Sequence, residues 1–177
     1  MSGYRTNGFT ALELMTAMAI ASILMATAVP ALKNYSWNLR MKTAMEMLQT
    51  DLTLARRRAI SLNADTVVCP ASGTPECMGS PDWQNGWIVF IDLNGDRQRQ
   101  TSEPALKQAG ETEFMTITSS SARSSVHFYP NGSAPGSNLS VTFCDKRGAR
   151  SAGKLTVSNS GRIRLETGGV EPMDNCL

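Results

Sequence analysis

A long N-terminal α-helix laid against an antiparallel β-rich domain, an α+β architecture, is the fold that this 177-residue sequence predicts. Three observations predict it. An apolar run fills Phe9 to Leu32 with a single charge, Glu13. A one-sided pattern with helical spacing follows, as far as about Leu62. Beyond that the apolar period changes to two and turn residues multiply.

The first run, FTALELMTAMAIASILMATAVPAL, would be about 36 Å long as a helix, enough to cross a hydrocarbon core of about 30 Å with some tilt. A secretory signal would place a basic stretch, a shorter apolar run and a cleavage site in that order. Here a short polar stretch, Met1 to Gly8, leads directly into a run too long for a signal, so any cut is expected before the run. Glu13 is the anomaly, because a carboxylate inside a span costs on the order of 2.5 to 3.5 kcal/mol even on lenient insertion scales. Pro30 is expected to kink or locally melt the helix. Farther on, Met41, Ala44, Leu48, Leu52, Ala55 and Ala59 recur at spacings of three and four, with Lys42, Glu46, Gln49 and Asp51 between them. The outer half of the helix is therefore expected to pack on a globular domain. Arg56, Arg57 and Arg58 read as a solvated helix end favoured by the dipole, in preference to a nucleic-acid role for the run.

From residue 63 onward, strands are expected at 65–69, 87–91, 114–118, 125–129, 140–144, 155–158 and 162–165. Asn131-Gly132 and Asn159-Ser160-Gly161 supply turns between them. The boundaries drawn from this pattern are 1–8 as a leader, 9–62 as the helix with 9–32 spanning the membrane, and 63–177 as the β-rich domain.

Net charge is only +2, so the chain is no polycation. Cys69, Cys77, Cys144 and Cys176 all lie beyond the span and form no C-x-x-C pair, which disfavours zinc and thioredoxin-type chemistry. An even count on the exported side favours disulfides. Of three connectivities, Cys69 with Cys77 and Cys144 with Cys176 are preferred, with loop entropies of about 2.6 and 3.7 kcal/mol. Arg5 before the helix and Lys33, Arg40 and Lys42 after it oppose the positive-inside tendency, a count that the cysteines outweigh.

Gly8-Phe9-Thr10-Ala11-Leu12-Glu13-Leu14 at the head of the apolar run resembles the class III leader of type IV pilins and type II secretion pseudopilins. The resemblance implies cleavage between Gly8 and Phe9 by a prepilin peptidase, methylation of Phe9, and assembly with other major and minor pilins. Glu13 would then face the N-terminal ammonium of a neighbouring subunit, an opposite charge that offsets its burial. It also implies an inner-membrane anchor with a periplasmic domain before assembly, and an extracellular filament after it.

Later motifs narrow the likeness: Leu54-Ala55-Arg56 with Ala59-Ile60, Trp83-x-x-Gly86-Trp87-Ile88-Val89-Phe90-x-Asp92-x-Asn94-x-Asp96, Phe128-x-Pro130-x-Gly132, and Phe143-Cys144. Together they resemble the GspH/FimT minor pilins, and they leave a secretion pseudopilin as the alternative to a pilus subunit.

No catalytic constellation is found, and no cofactor or metal is expected. His127, the single histidine, reads as a strand residue with an ordinary hydrogen bond. Asp92, Asn94 and Asp96, with Glu103 at the twelfth place, partly fit a calcium loop, but Arg97 replaces the turn glycine, so a hairpin turn is the preferred reading. Residues 144 to 166 carry Lys146, Arg147, Arg150, Lys154, Arg162 and Arg164 against Asp145 and Glu166. Alternation places Arg162 and Arg164 on one face of a strand about 6.6 Å apart, a spacing that suits successive phosphates. Gly161-Arg162-Ile163-Arg164 resembles the G-R-x-R motif of DNA-binding FimT proteins, which implies non-sequence-specific DNA contact. The same residues also fit an ordinary basic strand.

Overall fold

In the computed structural model, residues 8, 10–120, 123–167 and 176 are described. Two compact units divide the chain, Met1–Leu39 and Arg40–Leu177. Helix α1 (Ala11–Leu62) contributes to both.

In the first unit, Leu12, Met15, Met18, Ile23 and Leu32 are all exposed. The helix is long and apolar enough to cross a membrane. Its few hydroxyls do not oppose that environment, because Thr16, Ser22 and Thr27 donate to the carbonyls of Glu13, Ala19 and Leu24 at 2.8 to 3.0 Å. The helix runs through Pro30 without a break, so the expected melting does not occur. Proline removes only its own donor there, and the neighbouring turns remain helical.

In the second unit, α1 buries Met41, Ala44, Met45, Leu48, Leu52, Ala55 and Ala59. Asp51 departs from the expected polar face: it is buried, and its Oδ2 accepts the Trp87 indole N–H at 2.9 Å. The helix ends where Asn63 turns left-handed (φ 49°) and the Ala64 N–H bonds back to Ala59 O at 3.3 Å, a Schellman-type stop.

Among the described residues eight strands follow: β1 (Asp65–Pro70), β2 (Trp87–Asp92), β3 (Ala105–Ala109), β4 (Thr116–Ser119), β5 (Val126–Phe128), β6 (Leu139–Cys144), β7 (Gly153–Val157) and β8 (Ile163–Thr167). They form two four-stranded sheets, ordered β3-β2-β1-β5 and β4-β6-β7-β8, with every pairing antiparallel. One core holds the helix stripe together with the inner faces of both sheets, including Trp87, Phe128, Phe143 and Leu155. Helix and second sheet approach closely at Gly153, where any side chain would collide with Met45 Sδ. Val67, Cys69, Ile88 and Phe90 form a smaller cluster on the other face of the first sheet.

Strand β3 has no counterpart among the expected strands. Its sequence, ALKQA, is mostly exposed on a sheet edge and lacks β-branched residues. Phe114 was expected to open a strand, whereas it occupies a turn with φ 64° and its exposed ring lies under the Arg40 guanidinium at 5.4 Å. Disulfides join Cys69 to Cys77 and Cys144 to Cys176, with Cα separations of 5.5 and 5.6 Å.

Candidate functional site

At the N-terminal end, Gly8 is exposed, while Phe9 lies outside the described residues. Glu13 takes part in a capping box. The backbone N–H and the hydroxyl of Thr10 donate to Glu13 Oε2 at 3.1 and 3.2 Å, and the Glu13 N–H donates to Thr10 Oγ1 at 3.3 Å. The sequence carried this signal as Thr-x-x-Glu before an apolar run, and the reading above missed it. Both Thr10 donors are neutral groups.

The basic residues of the C-terminal region do not form one patch. Among the described residues strand β8 is an edge strand paired only with β7, with Ile163 opposite Val157, Arg164 opposite Thr156 and Glu166 opposite Lys154. Ile163 and Leu165 pack on the core, while Arg164 is exposed on the alternate face and Arg162, just before the strand, is exposed as well. Neither arginine makes an ion pair among the described residues. Lys154 shares their face but stands directly across from Glu166.

Lys146, Arg147 and Arg150 lie on the turn joining β6 to β7, next to Gly153. Arg162 adjoins the other end of that hairpin, about 13 Å away along the strand. Arg147 is also committed elsewhere. Its Nε bonds both carboxylate oxygens of Asp145 at 3.0 Å and its Nη2 reaches Oδ2 at 2.6 Å. Burial raises the Asp145 pKa, but the bonds from Arg147 and the charges of Arg147 and Lys146 together hold it below the usual carboxyl value. Charge density in the sequence thus overstated the cluster, because pairing and strand length divide it.

Arg56 differs most from its expected place at a solvated helix end. It is half-buried, and it donates from Nε to Gly132 O at 2.8 Å and from Nη2 to Ser160 O at 3.4 Å. The Ala134 N–H to Asn159 O bond, at 2.8 Å, ties the same two turns together. Leu54-Ala55-Arg56, Phe128-x-Pro130-x-Gly132 and Gly161-Arg162-x-Arg164 therefore meet at one junction, and Arg56 is its brace. Gly161 has φ 74°, and a Cβ there would lie far inside contact distance of Gly132 O.

The acidic loop after β2 is organised by backbone amides. Asp92 accepts from the N–H groups of Gly95 (2.8 Å) and Arg97 (3.0 Å), and Glu103 accepts from those of Leu93 (2.8 Å) and Gln100 (2.9 Å). Arg97 takes the left-handed conformation (φ 64°) that glycine adopts at the sixth place of a calcium loop. His127 does not make the ordinary side-chain hydrogen bond expected: it is buried, neither ring nitrogen has a hydrogen-bond partner among the described residues, and Nε2 lies 3.1 Å from Asp65 Oδ2 while the ring centroid is 4.4 Å from that of Tyr129.

The model of the family described as type II transport protein GspH matches residues 44–161, about two thirds of the chain. The chain belongs to the GspH family. Among solved structures, this GspH-family chain is similar to the type IV minor pilin FimU of Pseudomonas aeruginosa. The TM-score is 0.59 at 21% identity, and the match covers 75% of this chain and 92% of FimU. It is also similar to the minor pseudopilin EpsH from the type 2 secretion system of Vibrio cholerae, with TM-score 0.53, 11% identity, and coverage of 72% and 97%. No curated protein matches the chain. The GspH-family assignment makes the protein a pilin or pseudopilin, a structural subunit whose class works by assembling with other pilins, and the apolar N-terminal helix fits its membrane anchoring.

Proposed function

We propose that the protein is a minor pilin of a type IV pilus that also offers a non-sequence-specific DNA-binding surface on its second sheet. The observation that carries the DNA reading is the pair Arg162 and Arg164, both exposed, the first immediately before edge strand β8 and the second within it. Guanidinium groups at that spacing neutralise successive phosphates and gain affinity by counterion release. Lys154, opposite Glu166, adds to the surface along the hairpin. Lys146, Arg147 and Arg150 lie on the turn at its far end, where Arg147 is held by Asp145.

In this reading a prepilin peptidase cuts between Gly8 and Phe9, Phe9 is methylated, and the protein waits in the inner membrane with its β-rich domain in the periplasm. Glu13 then draws the N-terminal ammonium of a neighbouring pilin as the subunit enters the filament. Among the described residues its capping bonds come from neutral donors, which supports this role. Glu13→Ala should block incorporation into pili, and normal piliation in that variant would reject the assignment.

Gel shifts with duplex DNA at two salt concentrations test the binding surface. Arg162→Gln/Arg164→Gln should weaken the shift most at low salt, and unchanged affinity would sink the DNA reading. The alternative, a secretion pseudopilin without DNA contact, draws on the likeness to EpsH. A deletion strain that loses secretion while keeping pili and transformation would favour it.

A further inference from the structure

Arg56, Arg57 and Arg58 are consecutive on α1, yet the fold gives them different surroundings. Arg56 holds the carbonyls of Gly132 and Ser160. A Cβ on Gly132 would come within 2.7 Å of Ile60 Cδ1, so Arg56 and Ile60, one helical turn apart, mark the stripe of α1 that faces the two turns.

Successive helix residues are rotated by about 100°. Arg57 is next to Arg56 and three residues before Ile60, so it borders that stripe on the solvent side. Arg58 lies about 200° around from Arg56, on the opposite flank. Both are exposed. Ser160, which Arg56 holds, is only two residues before Arg162.

We infer that Arg57 is part of the nucleic-acid surface, extending it from Arg164 on β8 and Arg162 just before it onto the end of α1, so that one duplex backbone contacts all three. The inference rests on the DNA-binding reading above. The run of three arginines then has divided duties: Arg56 braces the junction, Arg57 meets phosphate, and Arg58 takes no part.

The test is fluorescence anisotropy of the full chain in non-ionic detergent with a labelled DNA duplex, plotting log Kd against log salt concentration. Each phosphate neutralised contributes about 0.9 to the slope. Arg57→Gln should lower the slope by about 0.9 and weaken binding at low salt, while Arg58→Gln should match wild type. If Arg57→Gln matches wild type while Arg162→Gln lowers the slope, the extension onto α1 is overturned and the β8 surface stands. Equal losses in Arg57→Gln and Arg58→Gln would also overturn it, because the two side chains lie on opposite flanks. If Arg162→Gln/Arg164→Gln itself matches wild type, the DNA reading falls and takes the inference with it.

Discussion

Replacing Gly161 by alanine separates two costs that usually occur together. Gly136 and Gly161 both adopt left-handed backbone, with φ 75° and 74°. A Cβ at Gly136 would meet nothing within 4 Å, whereas one at Gly161 would strike Gly132 O and lie 3.1 Å from Arg56 Nε. Gly136→Ala should therefore cost only the conformational penalty, about 1 kcal/mol. Gly161→Ala adds to that the displacement of the turn, which weakens the bonds from Arg56 to Gly132 O and Ser160 O. A hydrogen bond from a charged donor contributes about 1.5 to 3 kcal/mol, so the total should reach about 3 to 4 kcal/mol. For a folded unit of this size each kcal/mol is worth about 3 °C in Tm, giving falls of about 3 and 10 °C. Thermal unfolding of the full chain in detergent, followed by near-ultraviolet circular dichroism, reads both. Equal falls in the two variants would refute the claim that the junction is closed against Gly161.

Three further perturbations probe other parts of the domain. Trp87→Phe leaves Asp51 buried without its indole donor and should cost about 2 to 4 kcal/mol by denaturant titration, whereas Asp51→Asn, which keeps an acceptor, should cost less. Arg97→Gly relieves a left-handed arginine at about 1 to 2 kcal/mol but adds about 0.5 to 1 kcal/mol of unfolded-chain entropy, so a net gain of about 0.5 kcal/mol is expected by the same titration. Asp145 has a lowered pKa, so its contribution is fully present above the unfolded carboxyl value, near pH 4, and is lost as pH falls through the lower folded value. Arg147→Gln should therefore lose stability relative to wild type at neutral pH, with the gap closing under acid. A gap that stays constant down to pH 2 would assign the loss to packing.

The fold was legible wherever period and burial coincide. The helix stripe from Met41 to Ala59 and seven of the eight strands follow apolar spacing, because each presents one face to a single core. Legibility failed where tertiary partners override the local pattern. Asp51 interrupts the apolar stripe as any surface acid would, and only the position of Trp87 makes it internal. Strand β3 is built from helix-favouring residues and exists because β2 offers it an open edge. Phe114 is aromatic in a strand-like context, yet its backbone turns left-handed and leaves the ring outside.

The candidate site shows the same division at finer scale. Alternation alone placed Arg162 and Arg164 outward, since a strand with Ile163 and Leu165 inside leaves no other choice. Charge counting, in contrast, merged residues that lie at opposite ends of a hairpin and included an arginine already neutralised by Asp145. It also preferred a solvated helix end to a nucleic-acid role for the cations at 56–58, which lie about 100 residues earlier in the sequence. No local signal marks Arg56 as a brace, because its partners are backbone carbonyls of two remote turns, and a carbonyl has no sequence signature. The indirect signal was in the glycines. Gly132 and Gly161 each recur in a motif with a basic or aromatic neighbour, and two turns closing without side chains imply that something approaches both. Binding surfaces of this kind are written partly in the residues that bring segments together, and the cations become readable only once those segments are placed.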